Sequence, residues 1–204
     1  MEILNMDQGT PEWFAARCGL VTSSKFDAVL AKGRGNAPSK TRETYMKELA
    51  CERITGIVQN SFQSEWMERG NLLEGQARSM FELNYNLDVE QVGFIKLNED
   101  VGSSTDGLTE AAVIEIKCPK HTTHLDYLMN SDLLYQTYKN QVQGELWVSG
   151  KQAAFLMSFH PDFPDGKDLI VLEIQRDEAY INEISEAVSA FVQELKTMVK
   201  EVNA

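Results

Sequence analysis

The decisive stretch of this sequence runs from Gly102 to Lys120 and reads GSSTDGLTEAAVIEIKCPK. Its pattern predicts two short strands, at Ser103–Leu108 and Val113–Lys117, which a turn at Thr109–Ala112 joins into a hairpin. Side chains alternate between the two faces of a strand, so residues two apart share a face. The sequence therefore predicts one apolar face that packs on a core and one face that carries charged groups.

The charged face of this hairpin brings acids and an amine together. Glu115 and Lys117 share one face of the second strand. Ile114 and Ile116 point to the other face, which is buried. Asp106 lies nine residues before Glu115, so the hairpin can fold its carboxylate back toward that of Glu115. We therefore expect two carboxylates and one amine at one point beside a packed apolar face.

Two neighbouring carboxylates suit a divalent metal ion, because they repel one another unless a positive charge lies between them. Hard oxygen ligands favour Mg²⁺ or Mn²⁺, which also accept a phosphate oxygen and lower the pKa of bound water. Lys117 can then orient the attacking water or help to deprotonate it, and the Ile116 carbonyl can add a ligand near the strand end. The alternative is a partly exposed hairpin with ordinary surface charges, and the short pattern D-x8-E-x-K does not by itself decide between the two.

Composition indicates an ordinary globular protein. The 204 residues are 43% hydrophobic and 25% charged, which suits a single domain, residues 1–204, with an ample core. No apolar run approaches the roughly 18 residues of a membrane span, and the acidic N-terminus lacks a signal-peptide core. Cys18, Cys51 and Cys118 form no zinc or disulfide pattern, which predicts a reducing cytoplasm.

The formal net charge of −12 bears on the partners of the chain. Proteins that coat nucleic acid carry basic surfaces, so this charge argues mildly against that class. It is compatible with an enzyme that has an enclosed site, because a local basic surface can coexist with an acidic exterior that reduces non-specific sticking to DNA.

Two capped helices are predicted near the N-terminus. Thr10-Pro11-Glu12 starts the first, which carries Arg17 near its end and stops at Gly19. Thr22-Ser23-Ser24 caps the second, Lys25–Ala31, whose exposed amides can hold an anion. The alternatives are a surface arginine and serines that only cap a helix.

The densest positive cluster of the chain follows these helices. The segment KGRGNAPS, Lys32–Ser39, is typical of a mobile loop and contributes Lys32 and Arg34. Lys40 and Arg42 complete the cluster. A solvated loop and a DNA contact both remain open for these four residues.

The remaining elements alternate helices with strands. Further helices are predicted at Thr41–Ile54, at Glu65–Tyr85 with an interruption near Gly70, at Leu134–Val148 and at Asp177–Val199. Strands are predicted at Leu87–Leu97, Gln152–Phe159 and Leu169–Ile174. This order predicts a mixed α/β protein with helices on both faces of a sheet.

Polar residues on these elements carry further candidate chemistry. Glu74 lies beside an apolar helix stripe, so it is either a surface charge or an acid turned into a site. Gln141 and Glu145 lie one helical turn apart on one face. His121 and His124 could bind a metal, but no third ligand of that kind lies nearby in the sequence, which favours a solvated loop or a helix start.

These residues resemble an ordered set of family motifs. An Asp followed by Glu-x-Lys in a hairpin, with a helical acid upstream, is similar to the PD-(D/E)xK nuclease superfamily. More closely, the chain resembles the phage lambda exonuclease family of alkaline exonucleases and YqaJ-like viral recombinases. The matching segments, which span Gln8 to Val148, are QGTPEWFAARCGLVTSSKF, ERGNLLEGQARSMFE, SSTDG, IEIKCPK and NQVQGELWV. RDEAYI near Arg176 is also similar to that family.

The resemblance implies a restriction-endonuclease-like fold, with a mixed central β-sheet flanked by α-helices. The implied catalytic and metal-binding residues are Asp106, Glu115, Lys117, Glu74, Gln141 and the backbone carbonyl of Ile116. Asp106, Glu115 and the carbonyl would bind metal, and Lys117 would position the water. Glu74 would lie near a second metal ion, and Gln141 would support the water and the lysine.

The resemblance also implies a site for the end of a DNA strand. Arg17, Ser24 and Ser104 would form a pocket for a terminal 5′-phosphate. Met67 stands where the family carries an apolar wedge that splits the terminal base pair.

The implied function is digestion of one strand of linear double-stranded DNA, 5′ to 3′, which leaves 3′ single strands for recombination by strand annealing. The implied cofactor is Mg²⁺, with Mn²⁺ as a substitute and two ions in each site. The implied partners are double-stranded DNA, two further copies of the chain in a ring-shaped trimer, and a single-strand annealing protein. A phage- or prophage-encoded protein in the cytoplasm of a bacterial host is expected, with no membrane partner.

One departure from the superfamily pattern is visible, and two alternatives remain. Thr105 stands where the superfamily has a proline, but a proline donates no metal ligand, so little loss is expected. A catalytically inactive DNA-binding relative would have no need of the complete trio of Asp106, Glu115 and Lys117. An endonuclease of the same superfamily would have no need of a pocket for a strand end.

Overall fold

The structure, a computed structural model, describes residues 1–35, 39–58 and 65–204, without the side chains of residues 65–68 and 71. Its helices are α1 (Pro11–Arg17), α2 (Phe26–Leu30), α3 (Lys40–Thr55), α4 (Glu65–Tyr85), α5 (His121–Met129), α6 (Ser131–Ser149) and α7 (Glu178–Val202). Its strands are β1 (Glu2–Leu4), β2 (Val21–Thr22), β3 (Phe94–Lys96), β4 (Val101–Ser103), β5 (Gly107–Leu108), β6 (Ala112–Lys117), β7 (Ala153–Phe159) and β8 (Leu169–Gln175). None of the described helices has both the length and the apolar character that crossing a membrane requires.

The strands form two mixed sheets. The first has the order β1-β3-β4-β2, in which β2 and β4 are parallel and the other neighbours are antiparallel. The second has the order β5-β6-β7-β8, in which β6 and β7 are parallel and the other neighbours are antiparallel. The predicted mixed α/β class is therefore confirmed, with the strands divided between two sheets.

The predicted hairpin is present as β5 and β6, but its first strand is shorter than expected. Gly107 pairs with Ile114 across the hairpin. The prediction of one strand over Ser103–Leu108 is wrong, because Ser103 ends β4 in the other sheet. At Gly107 a side chain would come within 2.3 Å of Val89 Cγ1, so the backbone passes close to its neighbour where it enters the second sheet. Residues 104–106 are thus the link between the two sheets.

Strand β6 is packed on both faces. Ile114 and Ile116 lie in an apolar cluster with Phe81 of α4, as the alternation predicts. The opposite face is covered as well, because Val113 lies in the main core with Val142 of α6. Glu115 is only 3% exposed, which excludes the alternative of an ordinary surface charge at that position.

The helix boundaries follow local capping chemistry in most places. The Thr10 side chain accepts a hydrogen bond from the amide of Trp13 and begins α1, and Gly56 ends α3 with a φ of 70°. Helix α4 continues through Gly70, so the predicted interruption is wrong. The predicted strand Leu87–Leu97 is also too long, since only β3 forms within it apart from an isolated bridge at Glu90.

A glycine lets α6 approach the N-terminal part of the chain closely. A side chain at Gly144 would come within 2.4 Å of the Phe26 ring. Phe26 is fully buried and belongs to the main core. The contact sets the position of α6, which carries Gln141 and Glu145 over β6.

We predict that Gly144→Ala lowers the free energy of unfolding by about 1–3 kcal/mol, because the added methyl group would overlap the Phe26 ring. Gly75→Ala is the matched control. Gly75 also lies in a helix, and its added methyl group would meet no atom within 4 Å, so this variant should gain up to about 1 kcal/mol from helix propensity. Chemical denaturation measures both. Equal stabilities of the two variants would contradict the close approach of α6 to Phe26.

Candidate active site

A cleft of about 1710 Å³ opens between the N-terminal segment, α1, α3 and α4. Its walls include Arg17 and Ser24 from the predicted phosphate pocket, and Asp106 and Glu74 from the predicted metal site. The structure thus brings members of both predicted groups into one cavity.

Asp106 is held against β6 by two hydrogen bonds. Its Oδ2 accepts from the Ile116 amide at 2.6 Å. Its own amide donates to the Ile114 carbonyl at 3.1 Å. The link between the two sheets therefore ends in a carboxylate that is fixed to the strand carrying Glu115.

Glu115, Lys117 and Gln141 form a closed triangle of contacts. The Lys117 ammonium lies 2.5 Å from Glu115 Oε1 and donates to Gln141 Oε1 at 3.2 Å. Gln141 Nε2 donates to Glu115 Oε1 at 2.6 Å. Lys117 also lies over the ring of Tyr138, 4.7 Å from its centroid. These contacts fix the ammonium in one place.

Lys117 carries a positive charge in this environment. Burial alone would lower the pKa of its ammonium, but the carboxylates of Glu115 and Asp106 outweigh that effect and raise the pKa. A lysine with a raised pKa is a poor proton acceptor. Of the two roles that the sequence left open for Lys117, orienting the water fits this charge better than deprotonating it.

The single ammonium of Lys117 does not compensate the carboxyl groups that surround it. Burial, followed by the charge of Glu115, raises the pKa of Glu74 and raises that of Glu145 well above its usual range. Burial and the charges of Glu115 and Glu74 raise the pKa of Asp106 well above its usual range. Each carboxyl therefore resists ionisation in the absence of a further cation.

Glu145 is a buried acid of the site whose role the sequence did not indicate. Its Oε1 accepts from Gln141 Nε2 at 2.9 Å, and its buried Oε2 has no hydrogen-bond partner among the described residues. Because Gln141 Nε2 faces two carboxylates, its carbonyl oxygen must face Lys117. The one-turn spacing of Gln141 and Glu145 was the only sequence signal for this arrangement.

This donor set fits a divalent cation. Asp106, Glu115 and Glu74 offer hard oxygen ligands, as Mg²⁺ and Mn²⁺ prefer. The raised pKa values of Asp106 and Glu74, and the unpartnered oxygen of Glu145, indicate a deficit of positive charge at the same point.

The predicted phosphate pocket is organised by Trp13, which the sequence did not single out. The Arg17 guanidinium stacks on the indole, 4.1 Å from its centroid. The indole Nε1 donates to Ser104 Oγ at 3.1 Å and to the Gly93 carbonyl at 3.0 Å. Ser24 lines the same cleft and is exposed. Trp13 stands four residues before Arg17, so the helical spacing was the available signal.

The four basic residues that the sequence grouped into one cluster have different surroundings in the structure. Arg42 makes a bidentate ion pair with Glu194, with both hydrogen bonds at 2.8 Å, so its charge is already compensated. Lys40 lines a small groove of about 360 Å³ together with Lys25, which also borders the main cleft. Lys32 and Arg34 are exposed. The side chain of Met67 lies outside the described residues, so its wedge role stays a prediction.

The two histidines differ in their surroundings. His124 is a buried core residue whose ring bonds Ser158 Oγ and the Lys167 carbonyl, both at 2.8 Å. His121 begins α5, so the expectation of a helix start is confirmed. The fold also brings distant residues to it, because ligand atoms of His121, His160 and Asp162 lie within 4.8 Å of one another.

This second cluster is a weaker candidate for a metal than the acids of the cleft. Arg69 donates to His160 Nε2 at 3.0 Å, and the Asp162 amide donates to His160 Nδ1 at 3.3 Å. That nitrogen faces Asp162, at 3.9 Å from its carboxylate. A metal ion at either ring nitrogen would have to displace one of these two donors.

Comparisons with known proteins agree on the kind of protein. The family of YqaJ-like viral recombinase domains matches residues 12–152. An alkaline exonuclease from Laribacter hongkongensis, LHK-Exo, has a similar structure, with a TM-score of 0.87 and 34% identity over 95% of this chain and 96% of that chain. The same enzyme in complex with dAMP is similar at 35% identity over the same shares of the two chains, with the same TM-score of 0.87.

A more distant structure shows the same fold. The phage related exonuclease from Haemophilus somnus 129PT is 18% identical, with a TM-score of 0.74 over 90% of this chain and 96% of that chain. No curated protein matches the chain.

We predict that Mg²⁺ or Ca²⁺ raises the midpoint of thermal unfolding of the wild-type protein, because a ligand of the folded state stabilises it. Asp106→Asn should remove most of this increase, since it removes one of the crowded carboxylates. Asp162→Asn, in the histidine cluster, is the control that should leave the increase unchanged. If only Asp162→Asn lost the response, the metal would have to be assigned to the histidine cluster and not to the acids of the cleft.

We predict that the stability of the metal-free protein falls as the pH rises toward neutrality. Because folding raises the pKa of Asp106, the folded state holds this proton more tightly than the unfolded state does. The stability that this proton contributes is complete below the ordinary pKa of an aspartate and is lost as the pH rises through the raised value. Metal-free Asp106→Asn should therefore unfold at a higher temperature than the metal-free wild type at neutral pH, as calorimetry can measure.

Proposed function

Because this chain belongs to the family of YqaJ-like viral recombinase domains, we propose that it is a metal-dependent exonuclease that digests one strand of linear double-stranded DNA from a 5′-phosphorylated end. One observation carries the proposal. A single cleft is lined by Asp106 and Glu74, two of the acids that suit a divalent metal, and by Arg17 and Ser24, which suit a terminal phosphate. Hydrolysis of a phosphodiester close to a strand end needs both groups within one cavity.

Asp106, Glu115 and the Ile116 carbonyl would hold the metal ion, with Glu74 beside a second one. Mg²⁺ is the proposed ion and Mn²⁺ its substitute, since both accept carboxylate and phosphate oxygens together. When bound, such ions lower the pKa of water and compensate the charge that develops on the phosphate.

The residues of the chain position the reactants. Lys117, fixed between Glu115 and Gln141, orients the attacking water through its ammonium. The water oxygen forms the new bond to phosphorus, the bond from phosphorus to the 3′ oxygen breaks, and the 3′ oxygen takes up a proton from solvent. The water proton leaves to solvent. A 5′-mononucleotide is released, and the shortened strand again ends in a 5′-phosphate.

Arg17 and Ser24 would bind that 5′-phosphate, with Ser104 held beside them by Trp13. Burial, the largest effect, lowers the pKa of Arg17, but arginine stays protonated at neutral pH. A charged and partly desolvated guanidinium makes strong, directional hydrogen bonds to phosphate. The Laribacter relative has been solved with dAMP, which belongs to the class of product that this reaction releases.

Recombination and assembly belong to the same proposal. The 3′ single strand left behind would be the substrate of a single-strand annealing protein. Both proteins would act in the cytoplasm of a bacterial host, and the exonuclease would be encoded by a phage or prophage. A ring-shaped homotrimer would concentrate the basic groups Lys32, Arg34 and Lys40 around DNA despite the net charge of −12. Arg42 contributes less to such a surface, because Glu194 pairs with it. Light scattering of the protein decides this part by its molar mass.

Two other functions are less well supported. An inactive DNA-binding relative does not require the buried contacts among Glu115, Lys117 and Gln141. An endonuclease does not require Arg17 and Ser24 in the same cleft as the acids. Closed circular DNA, which has no ends, separates the endonuclease from the exonuclease.

We predict that the protein degrades linear duplex DNA with Mg²⁺ or Mn²⁺, and not with Ca²⁺ or EDTA. Lys117→Ala should keep DNA binding and lose roughly two orders of magnitude or more in rate, because the ammonium acts on the water and not on the DNA ends. Lys200→Ala, at the exposed end of α7, is the control. Near-wild-type digestion by Lys117→Ala or by Glu115→Ala would refute the assignment of the site.

We predict that digestion begins faster on 5′-phosphorylated ends than on 5′-hydroxyl ends. Arg17→Ala should remove most of that preference, since charge-assisted hydrogen bonds to the phosphate would be lost. Initial rates on the two matched duplexes measure the ratio. If the wild type cuts both ends at one rate, the phosphate pocket is wrongly placed.

A further inference from the structure

Helix α4 presents a second charged residue to the cleft, one turn after Glu74. Arg78 and Glu74 both line the cavity, together with Asp106. Residues four apart on a helix are neighbours on one face, with about 5–6 Å between their Cβ atoms. The guanidinium of Arg78 therefore lies beside the acids that suit the metal.

Arg78 differs from other arginines of the chain in its partners. Arg42 pairs with Glu194, Arg53 with Asp100 and Arg176 with Glu178. Arg78 is half-buried, and its Nε is buried without a hydrogen-bond acceptor among the described residues. A buried donor without an acceptor is costly in free energy unless a ligand supplies one.

The surroundings of Arg78 define the ligand. Its side chain lines the cleft together with Glu74 and Asp106, the acids proposed to lie at the metal ions. Its buried Nε finds no acceptor among the described residues, so a ligand that enters the cleft can supply one. A guanidinium offers a planar set of donors that matches two oxygens of a phosphate.

We propose that Arg78 binds the phosphate that undergoes hydrolysis, through its guanidinium and a non-bridging oxygen. The proposal rests on the proposed nuclease function and adds a substrate-contacting residue to it. Arg17 would hold the terminal phosphate of the strand, and Arg78 would hold the next phosphate at the acids. Donors aimed at a phosphate in a partly desolvated site stabilise the charge that develops on it.

The test compares Arg78→Ala and Arg78→Lys with the wild type. Single-turnover digestion of a 5′-phosphorylated duplex with Mg²⁺ should slow roughly 10²-fold in Arg78→Ala, the scale of one lost donor to a developing charge. Arg78→Lys should recover part of the rate, because it keeps the charge and loses the planar fork. Lys47→Ala, which breaks the exposed pair with Glu43 on α3, is the charge-matched control and should digest at the wild-type rate.

Three readouts separate substrate contact from a structural role. The ratio of rates on 5′-phosphorylated and 5′-hydroxyl ends should stay at the wild-type value in Arg78→Ala, in contrast to Arg17→Ala. DNA binding with Ca²⁺ should weaken only a few-fold, and the thermal midpoint should stay unchanged. Low concentrations of guanidinium chloride should partly restore digestion by Arg78→Ala, whereas the same concentrations of NaCl should not.

Each outcome decides between distinct conclusions. A wild-type single-turnover rate in Arg78→Ala, with no activity in Asp106→Ala, overturns the role of Arg78 and leaves the nuclease function intact. A slow variant that loses its thermal stability, and that guanidinium does not restore, assigns Arg78 a structural role and also overturns the proposal. Absence of DNA cleavage by the wild type with any divalent cation would refute the proposed function itself.

Discussion

The structure depends on burying more carboxylates than it supplies with cations. Glu74, Asp106, Glu115 and Glu145 converge on one point where Lys117 is the central ammonium, and burial raises the pKa of three of these acids, Glu74, Asp106 and Glu145. An isolated arrangement of this kind would be expelled to solvent, because a buried charge without a partner costs several kcal/mol or more. It persists because β6 is packed on both faces and holds Glu115 and Lys117 in place. The fold tolerates this local repulsion, and a divalent cation would relieve it.

The packing around β6 explains why the site is rigid. On one face, α4 contributes Phe81 to the apolar cluster and carries Glu74 to the cleft. On the other face, α6 carries Gln141, which orders the contacts of Glu115 and Lys117. The helix reaches this position only because Gly144 lets it approach Phe26. Core packing and the polar network are thus parts of one arrangement.

Local patterns predicted the elements, whereas the long-range contacts could not be predicted from them. The two-residue alternation of β6 predicted which face Ile114 and Ile116 occupy, because that periodicity is a property of the strand itself. The ion pair of Arg42 with Glu194 joins residues 152 apart in the chain, so composition alone assigned Arg42 to a free basic cluster. In the same way, His160 joins His121 only through the fold. The division of the Ser103–Leu108 segment between two sheets depends on pairing partners that lie outside the segment.

The short link between the sheets, residues 104–106, fixes the distance between the two halves of the proposed site. Ser104 accepts a hydrogen bond from Trp13, which carries Arg17 of the proposed phosphate pocket, and Asp106 lies two residues later at the proposed point of hydrolysis. Two residues of extended chain span at most about 7 Å, a length that suits one nucleotide and not several. Under the proposed function, the length of this link therefore sets how many nucleotides each cleavage removes. An insertion in this link would increase the distance between the pocket for the terminal phosphate and the point of hydrolysis. The released product would then change from single nucleotides to short oligonucleotides.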